Sequence, residues 1–284
     1  MKSAVLLLAH GAPERIDDVG RYLSFVRGGQ PVSPRVLEEV TSRYAAIGGS
    51  SPLTHWTRVQ AEALEKLLGI PVFFGMRNWR PFIQETMEQI RAAGVGRLAC
   101  VCLAPQFSQM SVGLYMQHAR EAAGGIELAW ANSYHVEPLL IQAFADRLRA
   151  IPGMPRKVLF TAHSLPAPNE IYDAESRATA SAVAAHLELT DWEFAYQSQG
   201  MSGGTWLGPT VETCLDRYAA AEVRQIVIAP IGFVCDHVEI LYDIDIHFQH
   251  YAANRGIAVT RPQSLNGSST FTAALAQVVN RCRA

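Results

Sequence analysis

Long apolar runs, paired cysteines and an excess of one charge are all scarce in this 284-residue chain, and each scarcity removes a class of function. No stretch is apolar for long enough to cross a bilayer. The short run Ala4–Ala9 behind Lys2 is too brief for the core of a signal peptide, and no cleavage pattern follows it. The five cysteines (Cys100, Cys102, Cys214, Cys235, Cys282) are odd in number and scattered, with no CxxC pair. That argues against a disulfide framework, a structural zinc or an iron–sulfur cluster, and for reduced thiols in a reducing compartment. A formal charge of −2 leaves neither a nucleic-acid footprint nor the signature of disorder. Phosphate-binding glycine fingerprints, Walker loops and nucleophile elbows are missing too, so nucleotide and acyl chemistry have no support. The expectation is a soluble, cytoplasmic protein without an integral membrane segment.

What is present is core: 49% of the residues are apolar, enough for one large or two medium domains. Strand-like and helix-like segments alternate, which is the pattern of an α/β fold with parallel sheets. Ala4–Ala9, Pro71–Phe74, Leu98–Leu103 and Ile126–Trp130 read as strands, with helical periodicity over Arg35–Ala46, Pro81–Ala93 and Leu139–Ala150. A further helix opens at Ser50-Ser51-Pro52 and runs through Leu68. Pro152-Gly-Met-Pro155 reads as a linker, and after it the letters repeat. Val5-Leu-Leu-Leu-Ala-His10-Gly-Ala-Pro13 is echoed by Val158-Leu-Phe-Thr-Ala-His163-Ser-Leu-Pro166. Trp79-Arg-Pro81 through Thr86 returns as Trp206-Leu-Gly-Pro209 through Thr213, and Leu103-Ala-Pro-Gln-Phe107 as Ile228-Ala-Pro-Ile-Gly-Phe233. The inference is two similar Rossmann-like domains, each a parallel sheet flanked by helices, over residues 1–150 and 156–265. A C-terminal helix at 266–284 packs back on the body, and a cleft lies between the domains at the strand ends.

The densest chemistry lies in Ile226–Asp245, where an apolar strand runs into Cys235, Asp236, His237, Glu239, Asp243 and Asp245. If the chain is helical from Val238, then Glu239, Asp243 and His247 recur every four residues on one face. Acids at a helix start are also what the helix dipole favours by itself. The first half has His10 but no such acidic cluster; it supplies Arg27, Arg43, Tyr44, Ser51 and Tyr115. One wall therefore suits a metal or proton transfer, and the other an anionic, flat or aromatic ligand. The blander reading is that a histidine beside a strand satisfies a turn, and that Arg43 and Tyr44 close a helix.

At these residues the sequence resembles the ferrochelatases, which insert Fe²⁺ into a porphyrin. The matching segments run in order along nearly the whole chain: Arg43-Tyr44 through Leu53, Ala104–Ser108, Thr161–Pro166, Gln197-Ser198 with Trp206–Pro209, and Gly232–Asp243. The Gly-Phe-Val-x-Asp-His segment and Arg27-Gly28 are most similar to the bacterial branch acting on coproporphyrin III. The resemblance implies that His163 binds the incoming metal or accepts a pyrrole proton, with Glu239 as its acidic partner. It further implies that Arg27, Arg43, Tyr44, Ser51 and Tyr115 contact the porphyrin and its carboxylates. An imidazole that titrates near neutrality and ligates iron suits that role, as does a carboxylate that orients it. The expected substrates are Fe²⁺ and coproporphyrin III, with protoporphyrin IX as the alternative. A cobalt chelatase and a non-catalytic tetrapyrrole carrier are more remote readings. No tightly bound cofactor, no iron–sulfur cluster, no nucleic-acid partner and a monomeric state are expected. Two positions depart from the family pattern. His10 stands where coproporphyrin-type enzymes usually present a tyrosine, which makes it a candidate iron ligand opposite His163. His247 stands where an acid would continue the row behind Glu239.

Overall fold

The computed structural model describes residues 2–155, 157–200 and 203–283. The chain runs β1 (Lys2–Ala9), α1 (Val19–Val26), α2 (Pro34–Ala46), α3 (Leu53–Leu68), β2 (Val72–Met76), α4 (Ile83–Ala92), β3 (Val95–Cys102), α5 (Leu114–Glu121), β4 (Glu127–Ala131) and α6 (Pro138–Arg149). It continues as β5 (Val158–His163), α7 (Glu170–His186), β6 (Trp192–Gln197), α8 (Val211–Ala220), β7 (Gln225–Pro230), α9 (Val238–Leu241), α10 (Gln249–Ala253), β8 (Ala258–Thr260) and α11 (Ser269–Arg283). The Pro152–Pro155 break falls between α6 and β5, where the pattern restarts.

The strands form two four-stranded sheets with the same wiring, β2-β1-β3-β4 and β6-β5-β7-β8, all parallel. The central strands β1 and β5 are buried along nearly their whole length, which is why they read as unbroken apolar runs rather than alternations. Each repeat in the letters marks an equivalent piece of backbone. His10 follows β1 and His163 ends β5. At the end of β2, Met76 N–H donates to Pro81 O at 2.7 Å; near the end of β6, Tyr196 N–H donates to Pro209 O at 2.8 Å. After β3, Leu103 N–H donates to Leu8 O of β1, and after β7, Gly232 N–H donates to Thr161 O of β5.

Each half has a buried cluster of its own, around Leu6, Leu8 and Ile83 in the first and Leu159, Leu215 and Ile226 in the second, and a third is shared. The shared cluster joins Val5, Leu7 and Val101 of the first sheet to Phe160, Ala162 and Val227 of the second. The tail helix α11 crosses over to the first half, where it packs on α3, α6, β3 and β4 and buries Phe271, Leu275 and Val279. The carboxyl ends of β1, β3, β5 and β7 thereby face a common space.

Candidate active site

The second-half wall starts from a close backbone approach. A Cβ on Gly232 would sit 2.7 Å from Ala162 Cβ, so only glycine lets the turn after β7 fold over the end of β5. That turn carries the chain to α9 and sets Glu239 Oε2 3.0 Å from His163 Nδ1, although the residues lie 76 apart in sequence. His237 starts α9: its Nδ1 accepts from Glu239 N–H at 3.1 Å, and its ring packs edge-on to Phe233. Burial opposes ionisation of Glu239, but the charges of His163, His237 and His10 and the hydrogen bond from His163 overcome it and hold the carboxyl down to about 2. Burial likewise lowers the pKa of His163, yet the attraction and hydrogen bond of Glu239 outweigh it and raise the imidazole above its ordinary value. His237, without such a direct bond, is lowered by burial.

The first-half wall is built from β1, the turn after β2 and α5. His10 opens into the cleft, with Asn78 Nδ2 at 3.1 Å from its Nε2 and Tyr115 Oη at 3.4 Å from its Nδ1. The ring is open to the cleft, and desolvation by the surrounding walls pushes its pKa down to about 4, which favours the neutral ring. Tyr22 packs edge-on to both His10 and Tyr44. Burial raises all three phenols, Tyr22, Tyr44 and Tyr115, and keeps them as neutral donors. The Tyr44 hydroxyl has no hydrogen bond of ordinary geometry among the described residues. Arg77 brings a guanidinium into this wall, steadied by the carbonyl of Met110 at 3.3 Å.

Between the walls lies a cavity of about 320 Å³ that both halves line: His10, Tyr44, Arg77 and Tyr115 on one side, His163 and Glu239 on the other. Its size is that of a small-molecule site. An imidazole held by an ionised carboxylate can take a proton or a metal ion, and aromatic rings with a cation opposite suit a flat carboxylated ligand. The family model that matches residues 2–282 is that of ferrochelatase. The chain belongs to the ferrochelatase family. It is 44% identical over 304 residues to a ferrochelatase of Acidobacterium capsulatum, covering 98% of this chain and 93% of that one. It is 31% identical over 300 residues to a coproporphyrin III ferrochelatase of Listeria innocua, covering 98% and 97%. Among solved structures, SirB from Bacillus subtilis with Fe³⁺ matches at a TM-score of 0.64 and 11% identity, over 100% of this chain and 96% of that one, a likeness of fold.

Of the eight residues to which the resemblance of this ferrochelatase gave a role, His10, Tyr44, Tyr115, His163 and Glu239 meet at the cavity, joined there by Cys235 and His237, and Arg27, Arg43 and Ser51 do not. Arg27 lies exposed just after α1, outside the cavity wall. Arg43 is engaged by Glu39 at 2.6 Å and Asp243 at 3.8 Å and lies over the Tyr242 ring, so its charge ties the halves together. Ser51 is buried in the turn before α3, where its Oγ accepts from Leu53 N–H and its own N–H donates to Pro13 O. It fixes how Leu53 meets the cavity rather than lining it. The helical row also breaks. After Leu241 the chain widens into a π-turn over Asp243–Phe248, with His247 N–H bonding Tyr242 O five residues back. Asp243 points inward, where it accepts from Ser198 Oγ; His247 swings out to Glu212 at 3.2 Å. Burial lifts the Asp243 carboxyl to about 6. Asp236 and Asp245, which look like ligands in the sequence, are both bound to Arg261. Among the described residues no group of three or more His, Cys, Asp or Glu is arranged to hold a metal ion, and no helix is long and apolar enough to cross a membrane.

The sequence reading missed Tyr22, Arg77 and Asn78. Arg77 and Asn78 lie in the turn after β2, immediately ahead of the repeated Trp79–Pro81 segment. Because the equivalent turn in the other half leads to Trp206, also at the cavity, the repeat itself was the signal that could have found them.

Proposed function

We propose that this ferrochelatase inserts Fe²⁺ into coproporphyrin III to give coproheme, as a step of haem biosynthesis, with His163 and Glu239 as the reacting pair. The observation behind the chemistry is the 3.0 Å bond between His163 and Glu239 at the edge of a cavity whose other wall is aromatic and cationic. Insertion must strip water from the metal and remove two pyrrole protons. The imidazole can receive either cation, and the ionised carboxylate stabilises the positive charge that gathers there. Tyr44, Tyr115, His10 and Arg77 then position the ring and its carboxylates from the opposite face. Four propionates call for more cations than two do. Arg77 in the wall and Arg27 outside it, neither with an ion-pair partner among the described residues, are the groups free to meet them, while Arg43 is already engaged. Protoporphyrin IX is the second reading. It is favoured by the apolar share of the wall, including Leu53, Leu103 and Leu165, and by the plain name ferrochelatase on the relative of 44% identity.

Anaerobic incubation with Fe²⁺ and either porphyrin, followed by absorbance, separates the two. Coproporphyrin III is expected to be metallated at the higher kcat/KM, and Arg77→Met to weaken its binding more than that of protoporphyrin IX. Removing one charge-assisted hydrogen bond costs roughly 1.5–3 kcal/mol where water is excluded, and less at an open rim. Preferential turnover of protoporphyrin IX, with equal losses on removing Arg77, overturns the substrate assignment.

A further inference from the structure

We propose that Gln197 is a positioning residue for metal insertion, its side-chain amide holding the peptide of Glu239 in register with the strand that carries His163. This rests on His163 and Glu239 being the reacting pair. The need for such a residue follows from how that pair is mounted. His163 ends a strand locked into a sheet, but Glu239 rides on α9, which spans only Val238–Leu241 between a loop and a π-turn. Glu239 thus sits in the first turn of a helical stretch that begins at a loop, where backbone bonds within the helix do not fix its distance from β5.

Gln197 fixes that distance from the end of β6, where it sits in register beside His163. Its side chain is 2% exposed, so each of its bonds is sheltered from water. Oε1 accepts from Thr161 Oγ1 at 2.7 Å, two residues before His163 on the same strand. Nε2 donates to the Glu239 carbonyl at 2.7 Å. Its own carbonyl accepts from Ser164 N–H at 2.7 Å, the residue after His163. One residue thus grips β5 on both sides of the histidine and α9 at the glutamate.

Ser198 extends the grip. It holds φ at +60°, the left-handed region that few non-glycine residues occupy, and this aims its Oγ at Asp243, one turn beyond Glu239. The side-chain chemistry is specific to glutamine. Glutamate keeps the acceptor for Thr161 but loses the donor to the Glu239 carbonyl, asparagine is a methylene short, and methionine fills the space with neither bond.

The test compares Gln197→Met, Gln197→Glu, Thr161→Val and His163→Ala with wild type for insertion kcat, porphyrin affinity by fluorescence quenching and thermal unfolding. Gln197 lies outside the cavity wall, so the two glutamine variants are expected to lose roughly 10–100-fold in kcat, the cost of a misplacement of about 1 Å, while porphyrin Kd stays within about two-fold. Thr161→Val should show a smaller loss confined to the same parameter. A folded Gln197→Met protein with wild-type kcat, or with equal losses in kcat and affinity, overturns the inference. If neither glutamine variant folds, Thr161→Val decides, and an unchanged kcat there overturns it. Wild-type turnover in His163→Ala instead refutes the assignment of the pair itself, a failure distinct from that of Gln197.

Discussion

The carboxylate and the imidazole at the centre of the site change each other's protonation, and this coupling gives the first prediction. Glu239, held down to about 2, is ionised throughout the working range, while His163 is held above its ordinary 6.5 by that same charge. In the proposed reaction His163 accepts a proton or a metal ion only when neutral, so turnover should rise with pH through its raised pKa. Glu239→Gln removes the main attraction and leaves burial opposed only by the more distant charge of Asp243. The rising limb of the kcat profile should therefore move to lower pH, while the maximal rate falls by the roughly 10²–10⁴-fold usual for losing a group of this kind. An unmoved limb would show that Glu239 does not govern the titrating group. The same coupling has a stability side. The contribution of His163 is present below 6.5 and is lost as pH rises through its folded pKa. That of Glu239 is present above its unfolded value of 4.5 and is lost as pH falls toward about 2. The pair therefore stabilises the fold most between those two unfolded values.

At the level of elements, the strand ends are fixed by backbone, and the short pieces after them are fixed by what they touch. The turn after β7 can approach β5 only because position 232 has no side chain. Gly232→Ala would drive a methyl into both the Cα and the Cβ of Ala162, at 2.8 and 2.7 Å, with no flexible side chain to yield. A cost of about 1–3 kcal/mol is expected from overpacking of this kind, read as a lower urea midpoint. Insertion should fall further than stability alone explains, since the residue that must move stands directly before His163. A variant with the wild-type midpoint and rate would show that the approach is looser than the distances say. The π-turn over Asp243–Phe248 has the opposite character: it rotates Asp243 inward and His247 outward, and so converts an apparent row of ligands into separate contacts.

Across the whole molecule, the halves share the largest of their buried clusters and are tied over the cleft. Gln106 Nε2 donates to Thr179 Oγ1 and to Ile231 O, and Gln60 Nε2 donates to Val234 O and Asn266 O, each bond joining one half to the other. Helix α11, the last of the chain, covers the first sheet with Phe271 at its buried face. Phe271→Ala should cost about 3–5 kcal/mol, as for other large core truncations. Because the cluster runs through both sheets, unfolding followed by circular dichroism and by tryptophan fluorescence should remain one coincident transition, shifted to lower urea. Two separated transitions would show that the halves unfold independently.

What the sequence determined by itself was whatever depends on near neighbours in the chain. The apolar runs marked the central strands, the Ala-His turns marked their ends, and the repeat predicted two sheets of the same wiring, all of which β1 to β8 bear out. The pairing of His163 with Glu239 was legible only through the resemblance of their two motifs to those of the ferrochelatases, and the fold brings them to 3.0 Å. The tertiary structure alone decided how side chains were spent. Asp236 and Asp245 have the composition of ligands, yet both charges are met by Arg261, 25 and 16 residues on, and Arg43 adds Asp243 to its helical neighbour Glu39. The π-turn that parts Asp243 from His247 depends on Ser198 and Glu212 coming to meet them. Arg77, Asn78 and Gln197 acquire their places only once parallel strands bring distant turns to the same edge. Local pattern fixes which way a backbone runs, but a polar side chain takes its partner from whatever the folded chain has placed within hydrogen-bond reach.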